Sequence, residues 1–208
     1  IKDKIYLFIF FLISLLLIIL IIKNLEINFL LNTLLDSFAF YLFFLTLRDF
    51  FVMKYKNLSQ IIAHFGFSLF ILSILFNNIF TTEIITNLKV GETYTSQKFN
   101  IKFKNLNQKQ GQNFKSIVGK FTIVNSKGKI ETLEPELRIY NQPNITTSEA
   151  DIRTNLLSDR FITMNTVQNK DYFNIRYQIK PFMIWIWLSI LLIATGGFLS
   201  LFKKKYEN

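Results

Sequence analysis

Gln60-Ile61-Ile62-Ala63-His64-Phe65-Gly66-Phe67-Ser68 opens an apolar run that continues to Phe80, and it carries the only histidine in the chain. A helical run of about 20 apolar residues matches the hydrocarbon thickness of a bilayer. The stretch therefore predicts a membrane-spanning helix, Ile61 to Phe80, with an imidazole inside it. An imidazole in hydrocarbon is costly without a partner, which makes His64 a candidate functional residue by default. The residues around it, Ala63 and Gly66, are small enough to let a flat ligand approach the helix. A structural reading stands beside the functional one: a histidine near the bilayer surface, hydrogen-bonded to water or to a neighbouring carbonyl.

Three further apolar runs flank this one. Ile5 to Ile22 is apolar apart from Ser14, and Phe29 to Leu47 carries Asn32 and Asp36. Phe182 to Phe202 ends at Lys203-Lys204-Lys205. Residues 1–80 thus predict three transmembrane helices, at about 5–22, 29–47 and 61–80, and 181–208 a fourth with a basic cytoplasmic tail. Small residues in the third run (Ala63, Gly66, Ser68, Ser73) and the fourth (Ser189, Ala194, Thr195, Gly196, Gly197) permit close backbone approach between membrane helices. Lys2, Lys4, Arg48, Lys54, Lys56 and the Lys203 triplet all fall on one face of this arrangement, with Lys23 the exception. The positive-inside rule makes that face cytoplasmic, or matrix, and the region 81–180 external. Trp185 and Trp187 suit the outer interfacial belt, with Pro181 at a tolerated early-helix position.

The region 81–180 reads as β. Alternating or β-rich runs occur at Lys98–Lys104, Ser116–Val124, Lys129–Leu133, Leu137–Tyr140, Arg160–Met164 and Tyr172–Ile179. Lys89-Val90-Gly91-Glu92, Gln110-Gly111-Gln112 and Asn125-Ser126-Lys127-Gly128 are turn signals, and Val167–Lys170 reads as a loop. A small antiparallel sandwich or partly open barrel is expected. Within Asn141–Ser158, Thr147-Ser148-Glu149-Ala150 offers capping residues for a short helix. The predicted fold class is an α-helical polytopic membrane protein of four spans with an inserted all-β extracytoplasmic domain.

Composition narrows the chemistry. The chain has no cysteine, which excludes thiol redox catalysis and thiolate metal sites by these residues. No phosphate loop, metal cluster or serine–histidine–acid arrangement occurs. Residues 81–180 hold 15 Lys/Arg against 9 Asp/Glu, an excess of 6 positive charges. For a domain tethered outside a membrane this points to anionic partners such as lipid headgroups and not to nucleic acid. Arg138, Arg153, Arg160 and Arg176 are candidates for such contacts, against the plain reading of solvated surface charge. Asp36 is either a proton acceptor inside the second run or a carboxyl hydrogen-bonded to Asn32 or Ser37, or the span is shifted outward past it. Scarce charges and few breaks within the runs count against a transporter.

Lys180-Pro181-Phe182-Met183-Ile184-Trp185-Ile186-Trp187, followed by Gly196-Gly197, resembles the end of the CcmF family. The resemblance continues in order through Ala63-His64-Phe65-Gly66, Glu83 with Leu88-Lys89-Val90-Gly91-Glu92, Glu136-Leu137-Arg138-Ile139-Tyr140, Ser148-Glu149-Ala150-Asp151-Ile152 and Asp159. It covers roughly Gln60 to Phe202. The tryptophan motif is the most specific part.

Membership would imply a component of the cytochrome c haem lyase, which takes haem from the chaperone CcmE. It would attach that haem to apocytochrome c through thioether bonds. A CcmH-type thiol subunit presents the reduced acceptor site. The family also implies a membrane haem b on two helix histidines, kept reduced with quinol as a candidate donor. His64 matches one of those axial iron ligands, a role neutral imidazole fills well. The second ligand, the tryptophan-rich haem-handling segment and two outer histidines have no counterpart here, so the chain is not catalytically complete alone. With Ile1 first, it is expected to be cut from a longer protein or separately encoded. Departures are Ser158, Ile184 and Gln178-Ile179. The implied location is the bacterial inner membrane with the β-domain in the periplasm, or the mitochondrial inner membrane. The rival reading is a non-catalytic membrane anchor whose β-domain docks partner subunits.

Overall fold

The computed structural model describes residues 2–22, 29–52, 58–126, 128–168 and 170–203. Lys23, Lys54, Lys56, Lys127, Lys204 and Lys205 lie outside the described residues, as do the side chains of Lys2, Lys4, Asn32, Asp36 and Lys203. Three helices come first: α1 (Lys2–Ile22), α2 (Phe29–Val52) and α3 (Leu58–Phe80). Ten strands follow: β1 (Thr82–Leu88), β2 (Thr93–Thr95), β3 (Phe99–Gln110), β4 (Phe114–Asn125), β5 (Ile130–Leu133), β6 (Glu136–Tyr140), β7 (Thr146–Glu149), β8 (Asp151–Thr154), β9 (Ser158–Thr166) and β10 (Phe173–Pro181). Helix α4 (Met183–Lys203) closes the chain. Residues 1–80 and 182–208 form one compact unit and 81–181 another.

In the helical unit, neighbours in sequence are neighbours in space. Aromatic rings join α1 to α2, with Phe11 edge-on to Tyr41 at 5.9 Å and Phe10 stacked on Phe44 at 6.3 Å. Phe40–Phe76 (5.4 Å) and Phe43–Phe65 (5.6 Å) join α2 to α3. The α3–α4 contact is of another kind. A Cβ on Gly66 would lie 2.9 Å from Ile193 N and Leu192 Cβ, and one on Gly196 would lie 2.6–2.8 Å from Ala63 backbone atoms. Only hydrogen at these two positions lets the helices touch backbone to backbone. Among the described residues, Leu58–Phe80 and Met183–Phe202 are long and apolar enough to cross a membrane, while Phe8–Leu20 is a shorter apolar stretch.

Pro181 does not sit in α4, as its sequence context suggested. It ends β10, and Phe182 turns the chain with a left-handed φ of 61° before Met183 starts the helix. That conformation costs a non-glycine residue about 1–2 kcal/mol. The Phe182 ring packs 5.1 Å from Phe76 in compensation.

The strands make two antiparallel sheets, β1-β10-β9-β8 and β2-β3-β4-β6-β7, with β5 also pairing β4. The expected alternative of a partly open barrel gives way to a sandwich. Alternating side chains of both sheets point inward and bury Leu88, Ile101, Phe103, Phe121, Ile123, Leu133, Leu137, Ile162, Met164, Ile175 and Tyr177. Phe103 and Phe121 stack with centroids 4.3 Å apart at the centre. A β-bulge between Phe103 and Asn105 changes the β3–β4 register beyond the core.

The short helix expected within Asn141–Ser158 is not formed. That segment contains β7, paired to β6, and β8, paired to β9, so the chain crosses from one sheet to the other at Ala150. Tertiary pairing overrides the capping pattern: Ser148 Oγ donates to Met164 O at 2.8 Å, and Asp151 Oδ2 accepts from Glu134 N at 2.7 Å. The same polar residues that would cap a helix here stitch the crossover.

Replacing Gly196 with alanine is expected to cost about 1–3 kcal/mol by overpacking. Gly197→Ala, where nothing lies within 4 Å, is expected to be neutral or slightly stabilising. Unfolding midpoints of the two variants in one detergent check this, and equal midpoints would contradict it. A second expectation concerns Tyr177. Burial, reinforced by the Glu131 carboxylate, pushes its phenol up to about 12. The fold therefore favours the neutral form, whose stabilisation is complete below about pH 10 and is lost as pH rises toward 12. Tyrosinate absorbance at 295 nm should show one late component, absent from Tyr177→Phe and coincident with loss of β circular dichroism.

Candidate functional site

The functional candidate belongs to α3, whose surface divides into three faces. One packs on α4 through Ala63 and Gly66. A second faces α2: Thr46 Oγ1 and Ser68 Oγ share a buried hydrogen bond of 2.9 Å between the helices. The Leu42 and Phe43 carbonyls lie 3.0 and 2.9 Å from Thr46 Oγ1, and Phe65 O 2.9 Å from Ser68 Oγ, so one hydroxyl donates across the helices while the other donates to its own helix. Hydroxyls that bond their own helix one turn back satisfy themselves locally and add a cross-helix link. The third face carries Gln60, His64, Phe67, Ile74 and Asn78, all exposed, with Phe67 at 52% and Ile74 at 42%.

His64 thus stands on the side of α3 that neither α2 nor α4 covers. It lies six residues past Leu58, about 9 Å along the axis at about 1.5 Å per residue. Thr46, Asp49, Gln60 and Ile61 line a recess beside it of about 30 Å³. That volume holds a water and is far too small for a macrocycle, so a planar ligand would lie against the open face. One sequence argument fails here. Ala63 and Gly66 do not leave room for a flat ligand, because α4 occupies it.

A haem is the group to test against these residues. An exposed imidazole with the apolar Phe67 one turn away fits a group that takes one nitrogen ligand and an apolar contact at its edge. No group of three or more His, Cys, Asp or Glu able to hold a metal ion occurs among the described residues. The donor set suits a single-ligand contribution and not a complete site.

The four outer-domain arginines are already engaged within the domain. Arg138 pairs with Glu136 at 3.1 Å and lies over the Phe114 ring at 4.9 Å. Arg153 meets Asp151 at 3.8 Å, and Arg176 pairs with Glu83. Gln178 and Arg176 together hold the Glu83 carboxyl below the usual carboxylate range. Arg160 and Glu131, each 17% exposed, pair at 3.2 Å across the two sheets. The sequence placed these arginines on the surface without showing their partners, because the pairings are set by strand register.

A family model described as the CcmF C-terminal beta-sandwich matches residues 79–181. The chain is 30% identical over 169 residues to "Cytochrome c-type biogenesis protein CcmF" of Haemophilus influenzae, covering 78% of this chain and 26% of that protein. It is 27% identical over 150 residues to the CcmF of Escherichia coli, covering 72% and 23%. It therefore spans about a quarter of the length of these curated relatives. The solved structure "Cytochrome c Heme Lyase CcmF" shares its fold with a TM-score of 0.67 at 16% identity, over 94% of this chain and 34% of that one. With a β-sandwich matched by the family model and its order of helices and strands matched by a solved structure, the chain belongs to the CcmF family and corresponds to its carboxy-terminal part.

Proposed function

We propose that this chain is the carboxy-terminal part of a cytochrome c haem lyase and that His64 supplies one axial ligand to a membrane haem b. The supporting observation is the placement of the only histidine on the uncovered face of α3, beside Phe67. In this reading all four helices span a membrane. The β-sandwich lies on its outer side, periplasmic in a bacterium or in the intermembrane space of a mitochondrion. The opposite iron ligand comes from outside these residues.

When bound, such a haem supplies one-electron chemistry whose potential depends on its axial ligands. The chain's own residues hold the ligand still. Gly66 against Ser189 and Leu192, and Gly196 against Ala63, lock α3 to α4. The Thr46–Ser68 bond locks it to α2 one turn from His64. Phe67 and Ile74 give the face an apolar surface that excludes water. Asp49 and Gln60 share the recess beside the imidazole, where an acceptor for the second ring N–H orients a ligating histidine.

The partners that follow are haem delivered by CcmE, apocytochrome c, a CcmH-type thiol subunit and, as electron donor, quinol. The covalent step itself, thioether formation, needs residues outside this chain. Against the rival reading of a simple anchor, the open imidazole face is the observation that favours a haem protein.

In the complete protein, His64→Ala is expected to abolish the dithionite-reduced α-band of the membrane haem while the protein remains at normal level in the membrane. Retention of full haem content would remove the assignment. Loss of the protein from the membrane altogether is controlled by His64→Gln, which preserves size and polarity and should show the same spectral loss with normal accumulation.

A further inference from the structure

The β8–β9 turn is unusual in what it leaves outside. Leu156 and Leu157 are 68% and 70% exposed, although the turn itself is tightly built. Asn155 N donates to Ser158 O at 3.1 Å, and Asn155 Oδ1 accepts from both Leu157 N and Ser158 N at 2.8 Å. Three backbone N–H groups and the Ser158 carbonyl are thus satisfied within the turn while two large aliphatic side chains are exposed. Groups with no need of water for hydrogen bonds can leave water at low cost.

Register shows where this turn lies in its sheet. Ser158 is opposite Pro181, the last residue of β10, and Thr82, the first residue of β1, is opposite Ile179. The turn therefore emerges from the same end of the sheet at which the chain enters β1 and leaves β10. Single residues, Thr81 and Phe182, connect that end to α3 and α4.

The second sheet ends there too. Ser126 N donates to Lys98 O at 3.0 Å, joining the β2–β3 and β4–β5 turns. Asn125 and Lys129 line a cleft of about 220 Å³ together with Ser158 and Ile179. Lys98 and Lys129 are exposed, and Ile130 is 68% exposed. This end of the sandwich presents three aliphatic side chains among lysines. Apolar tips flanked by cations suit the boundary between acyl chains and anionic headgroups.

We propose that the Asn155–Ser158 turn is a lipid-binding tip: Leu156 and Leu157 enter the bilayer interface, with Lys98 and Lys129 at anionic headgroups. The proposal rests on reading α3 and α4 as membrane spans.

The chain has no cysteine, so single labels are straightforward. Leu157→Cys, Gln168→Cys on the β9–β10 turn at the far end of the sheet, and Leu191→Cys on α4 would each carry an environment-sensitive fluorophore. The full chain would be placed in phosphatidylglycerol-containing nanodiscs with nitroxide lipids, quenching at the glycerol level or deep in the acyl region. The expected result is at least threefold stronger shallow quenching at position 157 than at 168, reduced when phosphatidylglycerol is replaced by a zwitterionic lipid. Position 191 should be quenched by the deep nitroxide. Quenching at 191 with none above the 168 level at 157 would overturn the lipid tip while leaving the spans intact. A blue-shifted but unquenched label at 157 would also overturn it, showing the turn covered by protein. No quenching at 191 would defeat the span reading and the tip with it.

Discussion

Backbone-to-backbone contact between α3 and α4 sets the conditions for everything else in the helical unit. Gly66 and Gly196 lie where any side-chain carbon would meet the opposing helix within 3 Å. In a membrane, where apolar side chains gain nothing by leaving lipid for one another, such close packing is a main source of helix association. Its consequence is directional. Once Ala63 and Gly66 are spent on α4, and Ile61 and Ser68 are turned toward α2, His64 has only the third face to occupy. The imidazole is exposed on a helix braced on two sides, by α4 and by α2. A nitrogen already fixed in place loses less conformational entropy when a ligand binds it.

The sheet unit solves a different problem. Its chain starts and finishes on neighbouring antiparallel strands, β1 and β10, so the domain is closed as a loop inserted between two helices. The crossover at Ala150 lets one chain furnish both sheets without a long connection. Positive charge is balanced locally: every arginine in the domain has a carboxylate within it, and the Glu131–Arg160 pair ties the sheets together next to buried Tyr177. The excess positive charge resides instead on lysines, and those at one end of the sandwich keep company with exposed leucines.

Much of this was legible in the sequence where a single physical signal dominates. Long apolar runs marked the helices, and turn residues marked the hairpins at Gly111 and Gly128 and the turn at Gly91 between the two sheets; Gly91 and Gly128 adopt positive φ. Six of the ten strands among the described residues followed from β-rich runs. Of the four missed strands, β2, β7 and β8 have only three or four residues and β1 mixes Thr, Glu and Asn with its aliphatics; each is paired by a partner strand that no local pattern announces. Asn141–Ser158 misled because Thr, Ser, Glu and Asp serve helix caps and sheet crossovers equally well. At the candidate site, the residue itself was plain, being the one histidine. Its setting was not: the small neighbours read as room for a ligand were committed to α4, and the open face with Phe67 emerges only once both neighbouring helices are in place.

Haem ligation by this chain depends on which side of α3 meets a porphyrin. A density map of the complete protein in lipid, at a resolution that shows side chains, tests it most directly. It should show iron bonded to a ring nitrogen of His64 and the macrocycle lying along the Phe67 side of the helix. A map in which that imidazole is buried against polypeptide or lipid, with the porphyrin held by other residues, would contradict it.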